Sequence, residues 1–167
     1  MNGRRFIRRS KLAIFVAVSF FGCAYADFPQ VSEQQLQVAP NVLLAGALTE
    51  SGITALTNSG IMVIDLRTAQ EGTAVEARQL SGLGIARTSL PIGRGISHAQ
   101  VSEFDQLLKE SSEQKIVVHC ASGNRAGMLW AAHLIDEGVS LQKAQSQVSG
   151  IVTKDSAKDV IAAYIKR

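Results

Sequence analysis

The stretch Val117-Val118-His119-Cys120-Ala121-Ser122-Gly123-Asn124-Arg125-Ala126-Gly127 constrains this chain more than any other. Lys115 to Val118 is rich in β-branched residues and reads as a buried strand. It runs into a loop of small residues and then into an apolar helix that begins near Arg125. A strand, a tight loop and a helix N-terminus in succession make a cradle for a tetrahedral anion. Consecutive backbone N–H groups point inward there, and the helix dipole is positive at that end. Gly123 permits so tight a backbone, and Arg125 can fork two oxygens of a phosphate. Cys120 then lies beside a cation at the positive end of a helix, a setting that yields a thiolate at neutral pH. The stretch predicts a nucleophilic cysteine facing a bound oxyanion, with Ala121, Ser122, Gly123 and Asn124 supplying the loop contacts. The competing reading is an inert buried cysteine with Arg125 in solvent. The joint spacing of His119, Cys120, Gly123 and Arg125 favours the reactive one.

On these residues the chain resembles the cysteine-dependent phosphatases, whose signature loop is His-Cys, five residues, then Arg and Ser or Thr. It departs from that pattern twice: four residues separate Cys120 from Arg125, and Ala126 stands at the hydroxyl position. The four-residue spacing is that of rhodanese sulfurtransferases, and a shorter loop makes a narrower cradle. Both features meet in the phosphatase-like domain of the bacterial beta-lactamase-hydrolase-like family, which resembles dual-specificity phosphatases. The likeness to that domain covers about residues 38–150, through Pro40 to Gly46, Gly60 to Arg67, Glu71 and Leu90-Pro91-Ile92. It implies a phosphatase that forms a phosphocysteine at Cys120, with Arg125 holding the phosphoryl oxygens.

The first part of the chain reads as a targeting segment. Met1 to Lys11 carries five basic residues and no acid, Leu12 to Phe21 is apolar but too short to span a bilayer, and Ala24-Tyr25-Ala26 fits a cleavage site. Residues 1–26 are thus expected to be a secretory signal peptide, with a periplasmic product. The alternatives are an uncleaved anchor and a lipoprotein modified at Cys23. The net charge of +3 comes from this segment: beyond it, 12 basic residues face 14 acidic ones, net −2. The basic character therefore gives no ground for nucleic-acid binding. Cys120 remains as the one thiol of the exported chain, so an intrachain disulfide is excluded.

Asp27 to about Ala39 is polar and glutamine-rich and reads as an arm, leaving residues 40–167 as the domain. Apolar runs at Val42 to Leu48, Ile61 to Leu66, Ile85 to Ile92 and Lys115 to Val118 read as strands. Helices are expected after Thr49 or Ser51, after capping boxes at Thr73–Glu76 and Ser97–Gln100, from Gly127 to Glu137, after Ser140, and from Asp155 to Lys166. Strand and helix alternate four times and then three helices follow. That order predicts an α/β fold with a mostly parallel four-stranded sheet flanked by helices, as the phosphatase resemblance also implies. The Cys120 loop would then sit at the carboxyl end of a strand, where such sheets bind ligands.

Other residues are candidates for the same edge. Arg67 would help hold an anionic substrate or else pair with Asp65. Arg94, in the Gly-flanked loop after Leu90-Pro91-Ile92, would contact substrate or else stay in solvent. That loop holds no carboxylate where the phosphatases place their acid, so His98 and Glu71 are the candidate proton donors. His119 is expected to orient the loop by hydrogen bonds, and His133 to pack in its helix. No zinc-ligand spacing, repeat or cofactor motif occurs. Three functions follow: a phosphatase, a sulfurtransferase carrying a Cys120 persulfide, or a non-catalytic phosphate-binding module. The expected partner is a phosphorylated substrate or another oxyanion, with no nucleic acid and no membrane span after cleavage. The sequence names neither the substrate nor the oligomeric state.

Overall fold

The computed structural model describes residues 28–164. The expected signal peptide lies outside them. Five strands form one sheet: β1 (Gln35–Ala39), β2 (Val42–Ala45), β3 (Met62–Asp65), β4 (Arg87–Ser89) and β5 (Ile116–His119). Their order is β1-β2-β5-β3-β4, parallel throughout except for β1. The helices are α1 (Glu50–Ala55), α2 (Thr73–Gly82), α3 (His98–Glu110), α4 (Asn124–Asp136), α5 (Leu141–Gln147) and α6 (Asp155–Tyr164). The α/β class is as expected, but the sheet has five strands rather than four. The added strand is β1, from the stretch that reads as an arm. Its glutamines alternate with Leu36 and Val38, which pack against the core, so one face suffices to hold it on the sheet edge.

The arm ahead of β1 is also folded. Val31 is fully buried, and its carbonyl accepts the Thr49 N–H at 3.0 Å. Gly52 of α1 lies directly on this backbone. A Cβ at Gly52 would overlap the Val31 carbonyl, so the close approach requires glycine. Thr49 is the residue that caps α1, accepting from Gly52 N–H at 3.0 Å.

Period-two alternation sends the strand side chains to two separate cores. Val42, Leu44, Ile64, Ile116 and Val118 face α3, α4 and α6, whose Phe104, Leu129 and Ile161 are fully buried. Leu43, Val63 and Val117 face the other side, under α1 and α2, with Ile53 and Leu80. The same alternation divides the end of β5. Cys120 belongs to the α4 side, and His119, one residue back, points to the α2 side.

One expected cap is not realised. Gly72, with φ +75°, precedes α2, so Thr73 is not its cap and Glu76 is free of that duty. A capping box forms instead at Thr68–Glu71, around a single 3₁₀ turn. The box at Ser97 and Gln100 forms as expected. No helix of the described residues is long and apolar enough to cross a membrane.

Candidate active site

Register brings the site together. β5 lies between β2 and β3, with Ala45 and Asp65 both paired to His119. The chain leaves β5 at its carboxyl end, and Ser122 forms an isolated antiparallel bridge with Gly46. The loop then turns into α4 through Gly123, whose φ of +78° an L-residue resists. A Cβ there would also overlap the Ile151 side chain, so glycine is required twice over. Gly127, a turn further on, is held by the same segment: its Cβ would overlap Val152.

Within the loop the Cys120 sulfur is buried, and it accepts the Gly123 N–H at 3.1 Å. Arg125 comes off the first turn of α4. Its Nη1 donates to Glu71 Oε2 at 2.7 Å and to the Ile92 carbonyl at 3.0 Å, and its Nη2 to Glu71 Oε1 at 2.5 Å. A guanidinium has five N–H donors in a planar fork. With Nη1 and one Nη2 proton committed, the Nε–Nη2 edge is left for an anion and for Cys120, which helps keep Arg125 charged after Glu71. The cleft above is about 580 Å³ and is lined by Ala121, Ser122, Asn124, Arg125, Arg94 and Glu71. Lys154 and Ser156 complete its polar lining, and Met128, Ala157 and Val160 form an apolar wall.

Of the expected site residues, Ala121, Ser122, Asn124, Arg125 and Arg94 line this cleft. Three others are held by neighbouring side chains. Arg67 turns to the α2 side, bonding Asp65 through Nε (3.0 Å) and Nη2 (2.9 Å) and Glu76 through Nη2 at 2.5 Å. It does not line the cleft, and the pairing with Asp65 is the contact it makes. Glu71 lines the cleft and pairs with Arg125. The bidentate hydrogen bond from Arg125, foremost, and the Thr68 contacts hold its carboxyl down at about 2, ionised at neutral pH. His98 lies at the start of α3 with Nδ1 2.8 Å from the Tyr164 hydroxyl, outside the cleft. That hydroxyl also donates to Asp136 at 2.7 Å, and burial, followed by the Asp136 carboxylate, pushes its pKa well above the usual phenol value.

His119 is likewise corrected. It is fully buried, and among the described residues neither ring nitrogen has a hydrogen-bond partner, although Nε2 is 3.2 Å from Glu76 Oε1. It orients nothing in the loop by hydrogen bonding. His133 packs as expected, edge-on to Phe104, with Nδ1 2.5 Å from Asp105 Oδ1. Asp65, Glu76 and His119 come close enough together to suggest a cation site. Both carboxylates are instead engaged by guanidinium groups, Asp65 by Arg67 and Arg87 and Glu76 by Arg67. That donor set is neutralised and does not fit a metal.

Sequence reasoning missed Lys154 and Ser156. Lys154 lies between α5 and α6 and Ser156 in the first turn of α6, 34 and 36 positions after Cys120 in the chain. Asn124 brings that segment in. Its Oδ1 accepts the N–H groups of Thr153 and Lys154, each at 3.0 Å, while its Nδ2 donates to the Ser122 hydroxyl at 3.2 Å. The asparagine at this loop–helix junction is the one signal in the sequence for that contact.

A strand-end cysteine under a short loop, with an arginine from the following helix, on this sheet order, is the arrangement of the cysteine-phosphatase fold. The chain belongs to the family described as DSP-PTPase phosphatase fused to NAD+ kinase, whose model matches residues 10–162. It is similar in structure to Tk-PTP in its active form, with TM-score 0.67 and 20% identity over 81% of this chain and 98% of that one. It is also similar to P. aeruginosa TpbA, a cysteine-to-serine form in complex with phosphotyrosine, with TM-score 0.63 and 19% identity over 84% and 86%. A third is the core catalytic domain of the PP-IP phosphatase SIW14 from S. cerevisiae, in complex with citrate, with TM-score 0.62 and 14% identity over 80% and 86%. No curated protein matches the chain in sequence.

Proposed function

We propose that the protein is a cysteine-dependent phosphatase acting through a phosphocysteine intermediate. One observation carries this: the Cys120 sulfur sits under the loop on the Gly123 N–H, with the Arg125 guanidinium beside it. In the first step the thiolate attacks phosphorus. An S–P bond forms, the P–O bond to the leaving group breaks, and the leaving oxygen departs with the electron pair. Loop N–H groups and the free edge of Arg125 hold the non-bridging oxygens. Water then attacks phosphorus, the S–P bond breaks, and phosphate and thiolate are released.

Among the described residues the one carboxyl that lines the cleft is Glu71, which Arg125 holds ionised. The leaving oxygen therefore takes its proton from solvent. Loss of general acid catalysis typically costs about 10²–10⁴-fold on substrates that need it. Turnover of aryl phosphates is expected to fall steeply as the leaving group becomes more basic, with a flat acidic limb in the pH profile. Equal rates for alkyl and aryl phosphates would mean that an acid had been overlooked. The four-residue loop favours a second reading, sulfur transfer through a Cys120 persulfide. Thiosulfate with cyanide, assayed beside the phosphates, separates the two, and phosphate binding without either activity would indicate a binding module. The short loop also supports a place near the beta-lactamase-hydrolase-like branch of the superfamily.

We further infer that the protein is exported to the periplasm. Mass spectrometry of the mature protein is expected to find Asp27 at its N-terminus. An intact Met1 or a lipid on Cys23 would overturn this.

A further inference from the structure

We propose that Arg94 and Lys154 form a second anion subsite beside the Cys120 loop. The preferred substrate is then a small molecule carrying a second phosphoryl group besides the one removed. The inference rests on the phosphatase reading above and adds the substrate class to it.

Both cations line the cleft. Among the described residues, neither side chain has a hydrogen bond or an ion pair. The cleft lining contains one carboxylate, Glu71, and Arg125 engages it with both nitrogens. That pair balances itself. The scissile phosphoryl group is met by the loop N–H groups and the remaining edge of Arg125. Arg94 and Lys154 are then left as two positive charges with no anion to face, in a cleft that already takes one phosphate.

The backbone of Lys154 is held in register with the loop. Asn124, only 6% exposed, accepts its backbone N–H and that of Thr153, and donates to Ser122 in the loop itself. The nucleophile loop and the Lys154 backbone are thus one unit. Arg94 sits between Gly93 and Gly95, and a Cβ at either glycine would meet nothing within 4 Å. The apolar wall of Met128, Ala157 and Val160 offers a surface for a ring or aliphatic scaffold between the charges. A cleft of about 580 Å³ is of small-molecule size.

The test compares phenyl phosphate with 1,4-phenylene bisphosphate, the same scaffold with one more phosphoryl group. The full chain is used for kinetics and for calorimetric binding. Per phosphoryl group, the bisphosphate is expected to show kcat/KM and affinity higher by about tenfold, the scale of one added charge-assisted contact. That preference should collapse toward onefold in Arg94→Glu and Lys154→Glu combined, and shrink with added salt. If the double variant does not fold, Arg94→Gln and Lys154→Gln, each checked by thermal melting, should each reduce the preference. Phenyl phosphate turnover with no gain for the bisphosphate would overturn the subsite and leave the phosphatase reading standing. If neither compound is hydrolysed, the phosphatase reading fails and binding decides the subsite: equal affinities for the two compounds overturn it. A tyrosine-phosphorylated peptide with acidic flanks that outperforms the bisphosphate would also overturn it, in favour of a protein substrate.

Discussion

Cys120→Ser is expected to lose turnover of aryl phosphates by a factor on the order of 10⁴ or more, as when other covalent nucleophiles are removed. The serine hydroxyl is a far weaker nucleophile, because it is almost wholly protonated at neutral pH and no adjacent base stands ready to activate it. The nearest carboxylate in the cleft, Glu71, is bound to Arg125 and carries no function at the nucleophile. The variant should still fold, since the change removes one small buried sulfur. It should still bind phosphate, because the loop N–H groups and Arg125 remain. Turnover retained within tenfold would sink the phosphocysteine mechanism. Arg125→Ala should also slow alkylation of Cys120 at neutral pH, since the cation beside the sulfur would be gone.

Asp65→Ala is expected to destabilise the fold by about 3–5 kcal/mol, the range for breaking a buried ion pair from one side. Asp65 is fully buried and receives four hydrogen bonds: the Arg67 N–H at 2.9 Å, Arg67 Nε at 3.0 Å, Arg67 Nη2 at 2.9 Å and Arg87 Nη2 at 2.8 Å. Removing it strands two guanidinium groups that are only 12% and 17% exposed. Urea unfolding of both proteins measures the difference, and a loss under about 1 kcal/mol would contradict the assignment. The pH dependence has a definite sign. Burial alone raises the Asp65 pKa, but Arg67, Arg87 and His119 together outweigh it and hold the carboxyl well below the usual carboxylate range. The unfolded chain, with an Asp value of about 3.9, binds the proton more readily. Stability from Asp65 is therefore fully present above that value and is lost as the pH falls below it. Glu71 acts in the same direction. Asp65→Asn should flatten the acid limb of stability relative to wild type, leaving the part that belongs to Glu71.

The Cys120 loop was legible because its chemistry is local. A strand, a glycine, a helix start and an arginine within a few residues determine one another through backbone geometry, and the structure keeps that order. The parallel sheet was legible from apolar runs such as Met62–Asp65 and Ile116–His119, which are buried on both faces. β1 was not, because its glutamine-rich sequence alternates on one face only, and a half-covered edge strand looks like a linker. The surroundings of Arg67 and His98 were not legible for a related reason. Both lie near the correct sheet edge, but chain position says nothing of which side of the sheet a residue serves.

By itself, then, the sequence determined the tight Cys120 loop, the helix start that carries Arg125 and the α/β class, because each depends on neighbours along the chain. Tertiary structure alone decided the rest. Strand register set Asp65 beside His119 and turned Arg67 to the α2 side. Packing brought Glu71 onto Arg125 across 54 positions of sequence. The Asn124 side chain drew Lys154 to the cleft across 30. Contacts of that separation arise only when the helices close on the sheet, since their energy comes from burying side chains that are distant in the chain.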